Sequence, residues 1–292
     1  MNIFTIKDLE NLSGIKAHTI RIWEQRYNFL KPQRTATNIR YYSNEELKSV
    51  LNIALLNKYG YKISQIDRMQ PEEISSKIMS LTDPRAVQER IVNELVQQMV
   101  DMDIDRFEKT LTGHILSKGM EKTITQIVFL YLEKIGLLWQ TGHINPAQEH
   151  LVTNVIQQKI IAAIDSLSPV IVSDKTILLF LPEGEHHVMG LLYVYYLLKK
   201  QRVKVIYLGA NIPLADVEYL VRIKKPDAAY MHLTSTSPGF NFEKFLQQFV
   251  LHLQGLPLVI SGQITQIYKR PIPPSVEFKK SLSEVITHLS NF

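Results

Sequence analysis

From residue 176 onward, short apolar runs alternate with stretches of helical length. The runs are Ile177 to Leu181, Val203 to Tyr207, Ala228 to His232, Leu258 to Ile260 and Val276 to Phe278. Each is too short for a helix and ends in small or polar residues before a helical pattern begins. Strands separated by crossover helices pair in parallel, which predicts a five-stranded, doubly wound parallel sheet with helices on both faces over residues 169–292. In such a sheet ligands bind outside the carboxyl ends of the strands. Those ends carry EGEHHVMG from Glu183, LGANIP from Leu208, HLTSTSP from His232 and SGQ from Ser261.

The preceding segment, 79–168, has a different rhythm. Apolar residues recur at three and four over Val87 to Met102, Ile104 to Ile115, Thr123 to Trp139 and Ala147 to Leu167, which predicts a four-helix bundle. Asn145-Pro146 reads as a helix N-cap followed by proline at the first helical position. Glu149 and His150 then fall in or near the first turn of the new helix and Trp139 near the end of the old one. The three residues are expected at one corner of the bundle.

The first segment, 1–78, is a helix pair with a tight turn. Ile6, Leu9 and Leu12 share one face, Ser13-Gly14 breaks the helix, and His18 to Tyr27 resumes it. Leu30 to Tyr42 alternates polar and apolar residues around a proline, as a two-stranded wing would. Ser43 to Glu46 reads as a capping box into a helix from Glu45 to Lys58. The net charge of +5 is mild, but Lys16, Arg21, Arg26, Lys31, Arg34 and Arg40 stand against the single acid Glu24. Double-stranded DNA is the expected partner. Lys16, His18, Thr19, Arg21, Arg26, Arg34, Arg40 and Tyr41 are the candidates to reach phosphates or base edges.

With 292 residues, two or three domains are expected. No apolar stretch reaches the roughly 18 residues of a membrane span, and no signal peptide opens the chain, so a cytoplasmic location is expected. The absence of cysteine excludes disulfides and thiolate metal sites. Any metal must be held by histidine, carboxylate or a cofactor.

That restriction gives EGEHHVMG its interest. A helix is expected to start around His186 or His187, with Gly190 permitting close approach to the backbone. Glu185 and His187 are two residues apart, close enough for the carboxylate to orient the imidazole as a metal ligand requires. One such histidine cannot hold a bare ion, but it suits a metal already held by a cofactor. His186 reads as a solvent-facing neighbour, and LLYVYY from Leu191 as a helix packed on the sheet.

The order of helix-turn-helix, LKPQR, the Arg40-Tyr41-Tyr42-Ser43 wing end and the Glu-Glu-Leu helix start resembles the DNA-binding domain of the MerR family of bacterial transcription regulators. Glu-x-His-x-x-Gly after the first strand of a flavodoxin-like sheet, with a helical bundle before it, resembles the cobalamin-binding domains of corrinoid proteins and methionine synthase. This resemblance implies that His187 is the lower axial ligand of cobalt and Glu185 its hydrogen-bonded partner. It also implies a slot for the displaced nucleotide tail, lined by Gly190, Ser235, Ser261 and Gly262. Trp139, nine residues, then Glu149-His150 resembles the cap signature of light-responsive, adenosylcobalamin-binding MerR-type repressors. By that likeness Trp139 covers the upper cobalamin face and Glu149-His150 reads the adenosyl group.

The sequence departs from these patterns at Gln140, where the light sensors carry a histidine, and an amide is a poorer cobalt ligand than imidazole. Ser237 stands for leucine in a Ser-x-Leu motif, and Ser261-Gly262 for a Gly-Gly pair. The resulting expectation is a repressor, not an enzyme, whose homo-oligomerisation, as dimer or tetramer, and operator binding are controlled by adenosylcobalamin; a light response is left open. Two alternatives stand beside it: a MerR-type regulator acting through protein partners without cobalamin, and a corrinoid methyl carrier.

Overall fold

The computed structural model describes residues 3–140, 142–168, 170–234, 240–253 and 255–292, the side chain of Gln140 excepted. They form two compact units, Met1–Ile156 and Gln157–Phe292.

In the first unit, α1 (Ile6–Ser13) starts at a reciprocal cap. Asp8 N donates to Thr5 Oγ1 while the Asp8 carboxylate accepts from Thr5 N at 2.7 Å, satisfying two otherwise orphaned amides. Gly14 closes the helix, and α2 (Ala17–Arg26) follows with Ile20 and Trp23 turned inward. The strands β1 (Gln33–Arg34) and β2 (Arg40–Tyr41) pair antiparallel as the expected wing. Phe4 bridges to Tyr42, tying the start of the chain to the wing's end. Ser43 and Glu46 form the expected capping box at the start of α3 (Asn44–Lys58), and two short helices follow, α4 (Ile63–Ile66) and α5 (Pro71–Met79).

The bundle helices are α6 (Pro84–Val100), α7 (Ile104–Lys118), α8 (Met120–Thr123), α9 (Phe129–Gln140) and α10 (Pro146–Asp165). The first begins earlier than its apolar periodicity, because Asp83 caps Arg85 and Ala86 and Pro84 sits where no amide is needed. Between α8 and α9 the helix passes through a π-helical stretch, Ile124–Val128. The cap of α10 is as expected: Asn145 Oδ1 accepts from Ala147 N at 2.8 Å, and Gln148 Oε1 accepts from Asn145 N at 3.0 Å.

The segments expected as 1–78 and 79–168 are not separated by an open linker. The two pack together through α1 against α9 and α3 against α6. Lys134 of α9 donates to the Leu12 carbonyl at 3.0 Å and to Asn93 Oδ1 at 2.8 Å. Burial lowers its pKa, so these bonds are what compensate an ammonium out of water.

The second unit is the expected doubly wound sheet. Its strands are β3 (Thr176–Pro182), β4 (Lys204–Ile212), β5 (Ala228–His232), β6 (Leu258–Ser261) and β7 (Val276–Lys279), parallel in the order β4-β3-β5-β6-β7. The helices are α11 (Met189–Lys200), α12 (Leu214–Lys224), α13 (Phe242–His252), α14 (Ile264–Ile267) and α15 (Leu282–Leu289). Side chains alternate across the sheet. Leu178, Phe180, Ala229, Met231, Leu258 and Ile260 form one core with Val217 of α12 and the phenylalanines of α13. The opposite face receives α11, which also contacts α15. The strand order reverses at β3 and β5, so the crevice where such sheets bind ligands lies between the loops that leave these two strands.

Candidate functional site

The loop after β3 is built around a buried carboxylate. Glu185 is 3% exposed, and its Oε1 lies 2.6 Å from His187 Nδ1 and accepts from His187 N at 2.8 Å. The loop is braced from β4, where Asn211 Oδ1 accepts from Gly184 N at 2.8 Å and Asn211 N donates to the Glu185 carbonyl at 3.1 Å. Asn211 takes positive φ to do this. β4 thus runs into LGANIP as far as Ile212, beyond the expected strand end at Tyr207, and an asparagine there is a recognisable sequence signal for that conformation.

The helix after this loop starts at Met189, not at His186 or His187. The reason is local: the Glu185 carboxylate captures the His187 amide, and Val188 N closes a turn on the His186 carbonyl at 3.0 Å. His187 is therefore a loop residue with a side chain 57% exposed. With Nδ1 turned to the carboxylate, the other ring nitrogen is the one a metal would take. Among the described residues no cluster of three histidines or carboxylates could hold a bare ion. The donor set suits one axial position on a metal already held in a macrocycle.

Behind this loop, on the α11 face of the sheet, Ser261 of the expected slot is joined by Tyr230 and His232, which the sequence pattern does not single out. Tyr230 Oη donates to Ser261 Oγ at 2.7 Å, and Ser261 Oγ lies 2.8 Å from His232 Nδ1. Burial pushes the His232 pKa down to about 4, against a weaker opposing pull from Glu185, so the ring is neutral near pH 7. The ring packs against the Cα of Gly190. A Cβ at that position would meet His232 Cδ2 at 2.2 Å. Gly262, with φ +95, backs onto Leu233, whose carbonyl oxygen would lie 2.3 Å from an added Cβ. Ser235 lies outside the described residues.

In the bundle, Trp139 occupies the last turn of α9 with 60% of its surface exposed. Glu149 lies in the first turn of α10, its Oε2 3.1 Å from His150 Nδ1, and residues 141–145 join the two helices. On the same helix as Trp139, Tyr131 is fully buried, and its hydroxyl has no hydrogen-bond partner among the described residues.

In the head, Lys16, His18, Arg21 and Arg26 are exposed on or beside α2, and Thr19 is half-buried. Lys16 lies 3.4 Å from Glu10. Arg34 donates to Asn38 Oδ1 at 2.8 Å within the wing turn, and Tyr41 donates to Gln33 across it. Arg40 pairs with Glu24 at 2.9 Å, and Tyr42 donates to the same carboxylate. Glu24, the lone acid of the basic stretch, thus holds the wing against α2. Among the described residues, no helix is long and apolar enough to cross a membrane.

Residues 4–73 match the model of the MerR HTH family regulatory protein, and residues 91–163 match that of the B12 binding domain. The two matches define the chain's class: a DNA-binding transcription regulator with a MerR-type head followed by a B12-binding domain. Its relatives carry the same sense. The chain is 25% identical over 267 residues to the HTH-type transcriptional repressor CarH of Myxococcus xanthus, covering 89% of this chain and 88% of that protein. It is 26% identical over 263 residues to the HTH-type transcriptional repressor CarA of the same organism, covering 88% and 85%. The monomethylamine corrinoid protein of Methanosarcina barkeri shares the fold, with a TM-score of 0.55 at 12% identity over 70% of this chain and all of that one.

Proposed function

We propose that this chain is a transcriptional repressor whose assembly on operator DNA is set by adenosylcobalamin. His187 serves as the lower axial ligand and Glu185 fixes its ring. Trp139, Glu149 and His150 read the upper, adenosyl side. The 2.6 Å contact between Glu185 Oε1 and His187 Nδ1 carries the reading, because a buried carboxylate aligning an exposed imidazole is what an axial ligand needs. The bound group supplies a light-sensitive cobalt–carbon bond; the chain supplies orientation, shielding and a difference in affinity between assembly states. A ligand shifts an oligomerisation equilibrium only by that difference, and side chains that touch the adenosyl group are its source. Exposed Lys16, His18 and Arg21, with Arg26 and the wing, would grip the DNA.

Visible-absorption titration with adenosylcobalamin tests the proposal. Wild type should give the spectrum of cobalt released from its own base and held by imidazole, and His187→Ala should lose it. Identical spectra for the two proteins overturn the axial assignment. Size-exclusion of the loaded protein in the dark and after green light tests assembly: a mass that is the same with ligand, without it and after illumination removes the switch.

A further inference from the structure

We propose that His232 is a built-in occupant of the nucleotide-tail slot, which the tail must displace, so that the chain distinguishes corrinoids by whether they carry a tail. This rests on the cobalamin reading above. The observation is independent of it. At the sheet's switch point, an imidazole lies against the Cα of Gly190, so close that a Cβ there would fall 2.2 Å from Cδ2. Among the described residues its side-chain hydrogen bond is to Ser261 Oγ at 2.8 Å, within a series that begins at Tyr230.

A flat nitrogen heterocycle packed on a glycine and bonded to a serine hydroxyl is the same set of contacts that would receive a flat nitrogen base from a ligand. Gly190 and Ser261 cannot serve both rings at once, because van der Waals contact on the glycine is already made. The neutral state of His232 matters too. A neutral ring leaves this partly dry crevice far more easily than an imidazolium paired to the nearby Glu185 carboxylate would. Its exit sacrifices one neutral hydrogen bond and the burial of a small ring, which for this geometry is about a tenfold cost in affinity.

The full chain, as wild type, His232→Ala and His232→Asn, is titrated with adenosylcobalamin and with adenosylcobinamide, which has no nucleotide tail. His232→Asn keeps a polar partner for Ser261 and guards against a merely unfolded His232→Ala protein. The expected result is that both variants bind adenosylcobalamin more tightly, His232→Ala by about tenfold, with adenosylcobinamide binding unchanged. The His232 ring resonances should also move on adding adenosylcobalamin and stay in place with adenosylcobinamide. If wild type binds both corrinoids and the substitutions change neither affinity, or change both alike, the plug is overturned while the cobalamin reading stands. If wild type and variants take up neither corrinoid, the cobalamin reading falls and takes the plug with it.

Discussion

The Asp8 carboxylate, in the first turn of the first helix of the DNA-binding head, lies 3.0 Å from Nδ1 of His143, in the loop that follows Trp139. Asp8 is fully buried and already caps α1 through Thr5. A loop beside a candidate ligand-reading residue is thereby in contact with the helix that packs behind α2. His143→Ala should loosen both ends of this contact, at a cost of about 1 kcal/mol in local opening, roughly fivefold in exchange rate. Hydrogen exchange of the full chain checks it: amides of α1 and of residues 142–145 should accelerate together. Acceleration confined to the loop would mean that the contact transmits nothing to the head.

The two tryptophans report on different places. Trp23 is 4% exposed and Trp139 is 60% exposed. A neutral aqueous quencher should therefore remove Trp139 emission first, and Trp139→Phe should leave a bluer spectrum that resists quenching. Equal quenching of wild type and the variant would contradict the exposure of Trp139.

Two arginines of the head should behave differently. Arg21 is exposed and makes no ion pair among the described residues, whereas Arg40 is spent on Glu24. Arg21→Ala is expected to weaken DNA binding and to reduce the salt dependence by about one phosphate contact, a slope change near 0.9. Arg40→Ala is expected to destabilise the fold by about 1 to 2 kcal/mol, because it leaves a nearly buried carboxylate with fewer donors. Its salt slope should stay close to wild type. Binding at several salt concentrations, with parallel denaturant unfolding, separates the two roles.

His232 gives stability a pH dependence of known sign. Its folded pKa, about 4, is below the ordinary histidine value. The unfolded state therefore binds its proton first, and the contribution is complete above about pH 6.5 and lost as pH falls toward 4. The loss should be roughly 2 to 3 kcal/mol, below the full shift because one edge of the ring meets solvent. His232→Asn should flatten that part of the stability profile; an unchanged profile would show that the ring titrates normally.

Much of this was legible beforehand because it rests on periodicity and short-range chemistry. Ala228 to His232 is a strand residue for residue as read, and the caps at Ser43 and Asn145 form as their side chains dictate. The Glu185–His187 contact was legible for the same reason, two residues in one loop. His232 was not. It ends a strand and looks like part of an apolar run, and its partners Gly190 and Ser261 come from elements far away in sequence. The same holds for Asp8 with His143 and Lys134 with Leu12, pairs made by packing alone. Helix starts slipped where a single side chain captured an amide, as at Glu185 and Asp83.

The π-helical stretch Ile124–Val128 behaves as a one-residue insertion inside an otherwise α-helical run. An α-helix turns about 100° per residue, so each residue after the insertion points in a direction it would not otherwise have. Removing one residue from that stretch would turn Trp139 by about 100° about the helix axis. In evolutionary terms, the exposed indole stands one codon deletion away from a different face of the same helix.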